Sequence, residues 1–103
     1  MRLISHFIDG AVFEAPAAAR VQDVYDPNLG RPQAQVVLGD AEAVDAAVVS
    51  AKVAQKKWAA LNPQRRARVM FEFKRLVEAE MEPLARLLAS EHGKVISDAK
   101  GVI

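Results

Sequence analysis

The spacing of apolar positions changes near residue 40. Upstream, short apolar runs alternate with turn residues, the period-two pattern of strands. His6-Phe7-Ile8 and Ala11-Val12-Phe13 flank Asp9-Gly10. An Asp-Gly pair between apolar runs predicts a hairpin, because both central turn residues need positive φ. Ala15-Pro16-Ala17-Ala18-Ala19 reads as a connector and Val21 to Tyr25 as a strand. Asp26-Pro27-Asn28-Leu29-Gly30 carries proline to fix φ and glycine for a left-handed position, so a turn is expected. Ala34, Val36 and Leu38 then mark a further half-buried strand.

Downstream the period becomes helical. Asp40 is placed to cap a helix in which Val44, Ala47, Val48, Ala51, Ala54 and Trp58 form one apolar face. Glu42 and Asp45 near its start and Lys56 and Lys57 near its end suit the helix dipole. Asn62-Pro63 restarts the chain as cap and first helical residue, with Val69, Phe73, Leu76 and Val77 expected inward. Pro83 marks a third start, with Leu84, Leu87 and Leu88 inward and Gly93 as terminator. Ser97 is read as the cap of a last helix that stops within about one turn, too short to hold itself in water. The expected fold is an α+β fragment: short antiparallel strands over residues 1–39, two to three helices over 40–103, and the last helix cut short.

Composition narrows the function. The hydrophobic share is 51%, but 19 residues are alanine, so burial capacity is less than that figure suggests. A net charge of +1, from 14 basic and 13 acidic residues, argues against nucleic acid as a partner. With no cysteine, the chain has neither a disulfide framework nor a thiol nucleophile. No apolar run is long enough for a signal peptide or a membrane span, which predicts a cytoplasmic protein without a membrane partner.

The ordered motifs resemble the aldehyde dehydrogenase family. His6-Phe7-Ile8-Asp9-Gly10 is similar to the family's opening, and Asp23-Val24-Tyr25-Asp26-Pro27-Asn28-Leu29-Gly30 to its V-x-N-P-x-T-G-like turn. Val44-Asp45-Ala46-Ala47-Val48 through Trp58 looks like its first alanine-rich helix, and Arg65-Arg66-Ala67-Arg68 with Phe71-Glu72-Phe73 like the next. Leu84-Ala85-Arg86-Leu87-Leu88 leading to Glu91-His92-Gly93-Lys94 is similar to its E-x-G-K segment. Departures are Asp26 for Asn, Asn28-Leu29 for Ala-Thr, and Val102 for an acidic residue. Val69-Met70-Phe71-Glu72-Phe73-Lys74, the E-H-G-K form and Ser97-Asp98-Ala99-Lys100-Gly101 look most like the methylmalonate-semialdehyde dehydrogenase branch.

The resemblance implies an α/β parent fold, with residues 1–103 a partial N-terminal segment of its cofactor-binding domain. It implies NAD as cofactor and CoA as co-substrate of the parent. The implied partners are the remainder of the dehydrogenase chain and further copies in a homo-oligomer. The family's nucleophile, oxyanion-stabilising residue and nucleotide-binding segments match nothing here, and there is no G-x-G-x-x-G turn. No catalytic, cofactor-binding or metal-binding residue is therefore assigned, and the isolated chain is expected to be inactive. The alternative is a stand-alone oligomerisation or docking module of the same descent.

Several side chains invite a sharper reading. His92 beside Glu91 could do acid–base work, but a helix C-terminus favours its partial positive charge. His6 has no partner in sequence and reads as a surface or strand residue. Arg65, Arg66 and Arg68 stand where the helix dipole disfavours cations, so an anion or subunit contact competes with a solvated face. Lys94 reads as capping or surface pairing. Trp58, Phe71 and Phe73 read as core, or as an exposed apolar patch if the rest of the protein is absent.

Overall fold

A computed structural model describes all residues, 1–103. Its elements run β1 (Arg2–Ile4), β2 (Phe7–Ile8), β3 (Ala11–Val12), β4 (Val21–Asp26), β5 (Arg31–Val37), α1 (Ala41–Ala60), α2 (Pro63–Ala79), α3 (Met81–His92) and α4 (Ile96–Val102). The chain divides into two units, Met1–Val24 with Pro32–Leu61, and Tyr25–Arg31 with Asn62–Ile103.

In the first unit, β2 and β3 form the antiparallel hairpin that Asp9-Gly10 predicts. Asp9 has φ 55° and Gly10 φ 74°, the two positive values such a turn needs. β1 was not expected. It pairs in parallel with β5, Arg2 opposite Ala34 and Ile4 opposite Val36, so the strand segment is not purely antiparallel. A parallel partner thirty residues away leaves no local sequence signal. The sheet order is β1-β5-β4. α1 lies against β2. Its cap is the Asp40 carboxylate, which accepts the Ala43 backbone N–H at 2.8 Å.

In the second unit, the Asn62 side chain caps α2 by accepting the Arg65 backbone N–H at 2.9 Å, with Pro63 as the first helical residue. α3 begins at Met81, two residues before Pro83. Proline is tolerated there because first-turn N–H groups have no acceptor within their own helix. α4 begins at Ile96 with Val95 as its cap, so Ser97 lies inside the first turn and not at the cap. Its support is tertiary: α4 packs on α3, with Ala85 of α3 and Ala99 of α4 fully buried.

The turn that departs from the family motif has local work to do. The Asp26 carboxylate accepts the Asn28 backbone N–H at 2.8 Å, and the Asn28 side-chain amide donates to the Ala89 carbonyl at 3.2 Å. Gly93, at φ 88°, ends α3 and donates its N–H to that same carbonyl at 2.9 Å. A Cβ at Gly93 would lie 3.3 Å from Pro27 Cγ. Gly93→Ala therefore combines left-handed strain with a tight contact. It should destabilise the second unit by about 1–2 kcal/mol, read as a lower midpoint in urea unfolding. An unchanged midpoint would mean that α3 ends and the turn docks without this glycine.

The expected helix faces exist, but most of their large members are exposed. Only Ala34, Val37, Ala43, Ala85 and Ala99 are buried. Val44, Val48 and Trp58 of α1 are exposed, as are Val69, Phe73 and Leu76 of α2, and Leu84 and Leu87 of α3. α2 has no buried residue in its 17. Periodicity places these side chains on one side of a helix; a second surface must be present to bury them, and here none covers them.

Candidate functional site

The residues singled out from the sequence are divided between the two units. His6 lies beside Phe13, ring centroids 6.0 Å apart, in the first unit. His92 is the exposed last residue of α3 in the second. Arg65 is exposed in the first turn of α2 and Arg66 is half-buried, with its Nε left without a partner. Lys94 is half-buried in the loop after α3. No three His, Asp or Glu side chains group as metal ligands.

The main concavity of the first unit, about 490 Å³, is lined by Leu3, Val12, Phe13, Pro16, Val21 and Val37 among others, with Ser5 and Glu14 as its polar members. The Ser5 hydroxyl is already engaged, donating to the Phe13 carbonyl at 2.5 Å. A dinucleotide pyrophosphate needs converging N–H groups or a cation. This lining offers a carboxylate and no cation, so these residues do not fit the phosphates of NAD. In the second unit, Met70, Phe73, Val77, Met81 and Ile103 line an apolar groove of about 420 Å³, with Lys74 and Glu78 at its rim. Neither concavity was legible in the sequence, since each draws on residues far apart in the chain.

Two exposed ion pairs perturb carboxylates. The Arg75 guanidinium holds Glu72 below the ordinary carboxylate range through a hydrogen bond at 2.5 Å. Lys100 of α4 bonds Glu82 of α3 and lowers its pKa by that hydrogen bond first and by charge second. A depressed folded pKa contributes stability that is present above the unfolded value and lost as pH falls through the folded one. The α3–α4 contact should thus loosen below the usual Glu range. Glu82→Gln should remove that acid dependence and speed amide exchange in α4 roughly two- to five-fold at neutral pH. Exchange in α4 that is the same in both proteins at every pH would show that the pair holds nothing.

The surface is unusually large for the mass. It totals 8108 Å². A folded 11.2 kDa monomer exposes about 5,700 Å², and even two separate compact bodies of half that mass expose about 6,900 Å² together. The surplus of about 1,200 Å² exceeds the roughly 800 Å² that each partner contributes to a standard interface. Much of the surface is apolar: Phe71 is 70% exposed and Phe73 59%. Extended apolar surface of this kind marks contact with other protein. No helix is long and apolar enough to cross a membrane.

The aldehyde dehydrogenase family matches residues 13–103, and the chain belongs to that family. Its similarity extends over its whole length to the malonate-semialdehyde dehydrogenase of Listeria monocytogenes serotype 4a, at 36% identity over 103 residues, covering 21% of that protein. A solved protein of Sinorhizobium meliloti 1021, assigned as a methylmalonate-semialdehyde dehydrogenase and complexed with NAD, superposes with a TM-score of 0.93 at 48% identity. The match covers 98% of this chain and 20% of that one. The methylmalonate-semialdehyde dehydrogenase of Oceanimonas doudoroffii superposes at 0.92 with 37% identity, over 98% of this chain and 20% of that one. The chain thus spans about a fifth of the length of the relatives it matches.

Proposed function

We propose that these residues form the N-terminal portion of an NAD-dependent, CoA-acylating aldehyde dehydrogenase of the methylmalonate-semialdehyde branch. The observation that carries this reading is the end-to-end match to malonate- and methylmalonate-semialdehyde dehydrogenases about five times longer. The parent would convert methylmalonate or malonate semialdehyde, CoA and NAD to propionyl- or acetyl-CoA, CO2 and NADH. In such an enzyme a cysteine thiolate would attack the aldehyde carbonyl to form a hemithioacetal. Residues beyond Ile103 would supply that thiolate and the oxyanion site. NAD accepts the hydride when bound. Residues 1–103 would be a partial segment of the cofactor-binding domain, whose strands and helices pack against the remainder of a cytoplasmic homo-oligomeric enzyme. The uncovered faces of α1 and α2 support that packing role.

The test is the intact mass of the native product, captured from its source with an antibody to the Arg65–Arg75 region. A mass several times 11.2 kDa, with NADH formed from the two semialdehydes only when CoA is present, is expected. A product of 103 residues would overturn the reading of this chain as enzyme and leave the docking-module alternative.

A further inference from the structure

We propose that Asp9 is a modification site, at which the side chain and the Gly10 backbone nitrogen close to a succinimide that reopens to isoaspartate. The hairpin is the same whatever the length of the native chain, so the proposal stands apart from the enzyme reading. Three observations carry it. First, Asp9 alone among the aspartates and asparagines precedes a glycine. Asp23 precedes Val24, Asp26 and Asn62 precede prolines, Asn28 precedes Leu29, and Asp40, Asp45 and Asp98 precede alanines. Ring closure needs a backbone nitrogen that its own side chain does not crowd, and a proline nitrogen has no hydrogen to lose. Second, Asp9 and Gly10 are exposed, and the Asp9 carboxylate enters no hydrogen bond or ion pair. A Cβ at Gly10 would meet nothing within 4 Å, so the ring has room. The other aspartates are held. Asp23 accepts from the Gln35 amide at 3.2 Å, Asp26 from the Asn28 N–H and Asp40 from the Ala43 N–H, both at 2.8 Å. Asp45 and Asp98 lie in α1 and α4, where the next N–H belongs to the helical ladder, as Ala99 donating to the Val95 carbonyl at 3.0 Å shows.

Third, the ladder below the turn is short. β2 and β3 pair at Phe7 with Val12 and at Ile8 with Ala11, and the Phe13 N–H bonds the His6 carbonyl at 2.7 Å. A two-stranded ribbon of this size is marginal in water, so its tip frays and Asp9 leaves the left-handed turn conformation, φ 55°, for one in which the ring can close. The Gly10 nitrogen then attacks Asp9 Cγ. The N–Cγ bond forms, the Cγ–O bond breaks, and the hydroxyl leaves with the amide proton as water. Water next adds to the carbonyl on the Cα side, the bond from that carbon to the Gly10 nitrogen breaks, and the main chain runs through Cβ and Cγ. Nothing is oxidised or reduced, and the mass returns to its starting value. The main chain gains one carbon inside a two-residue turn, which no longer joins Ile8 and Ala11 in register.

The test is to age the native product in buffer at physiological pH and temperature and to map its peptides by electron-transfer fragmentation, which separates isoaspartate from aspartate at equal mass. Isoaspartate is expected at residue 9, at a rate within about tenfold of that in a free peptide of residues 1–20, and not at Asp45 or Asp98. Asp9→Asn keeps a residue that this turn accepts, and it should form isoaspartate faster, losing ammonia in place of water. No isoaspartate at residue 9 of the intact protein, or a rate below that window, overturns the proposal, because the turn then stays closed. So does isoaspartate spread evenly over the aspartates. An Asp9→Asn protein that ages no faster than the native one also overturns it.

Discussion

Purified residues 1–103, incubated with methylmalonate or malonate semialdehyde, CoA and NAD, should form NADH no faster than buffer does. Enzymes gain about a million-fold or more over the uncatalysed reaction. In the proposed chemistry, that gain begins at a thiolate, and this chain contains no cysteine. Ser5 donates to the Phe13 carbonyl and Ser90 to the Leu87 carbonyl at 2.7 Å. The two imidazoles, His6 and His92, belong to different units. Spectrophotometric NADH assay across purification fractions checks the expectation. Turnover that tracks the chain through the column and scales with its concentration would mean that a nucleophile other than cysteine operates here.

The second large effect is expected at Ala99. α3 and α4 pack on each other, and each carries one fully buried residue, Ala85 and Ala99. Ala99→Leu inserts three carbons where there is no room, an overpacking that costs about 1–3 kcal/mol. α4 has seven residues, too few to survive undocked. The strain should therefore appear as release of α4: amide protection lost over Ile96–Val102, with α3 protection and the first unit unchanged. Retained α4 protection would show that the helices can separate locally and keep the fold.

Local chemistry was legible wherever a few neighbouring residues settle the outcome. Asp9-Gly10 makes its turn because the hairpin requires left-handed backbone there. Asp40 and Asn62 cap helices because their side-chain oxygens reach N–H groups three residues on. Gly93 ends α3 because the terminating position is left-handed. The start of α4 was misplaced at Ser97, since a serine resembles a cap whether or not it serves as one; Val95 holds the position without a side-chain bond.

What depends on residues distant in sequence was not legible. The β1 strand is defined by its parallel partner β5, and three residues carry no pattern of their own. Asn28, a departure from the family turn, bonds Ala89, sixty-one residues away. Helical spacing identified the apolar faces of α1 and α2, but not whether anything would cover them. By itself the sequence determined the Asp9-Gly10 hairpin, the caps of α1 and α2, the end of α3 at Gly93 and the family, because each follows from short-range sterics or from ordered motifs. The tertiary structure alone decided which apolar residues are buried: small alanines where α3 meets α4, and exposed Val, Phe and Leu elsewhere, because burial requires a second surface at the right distance.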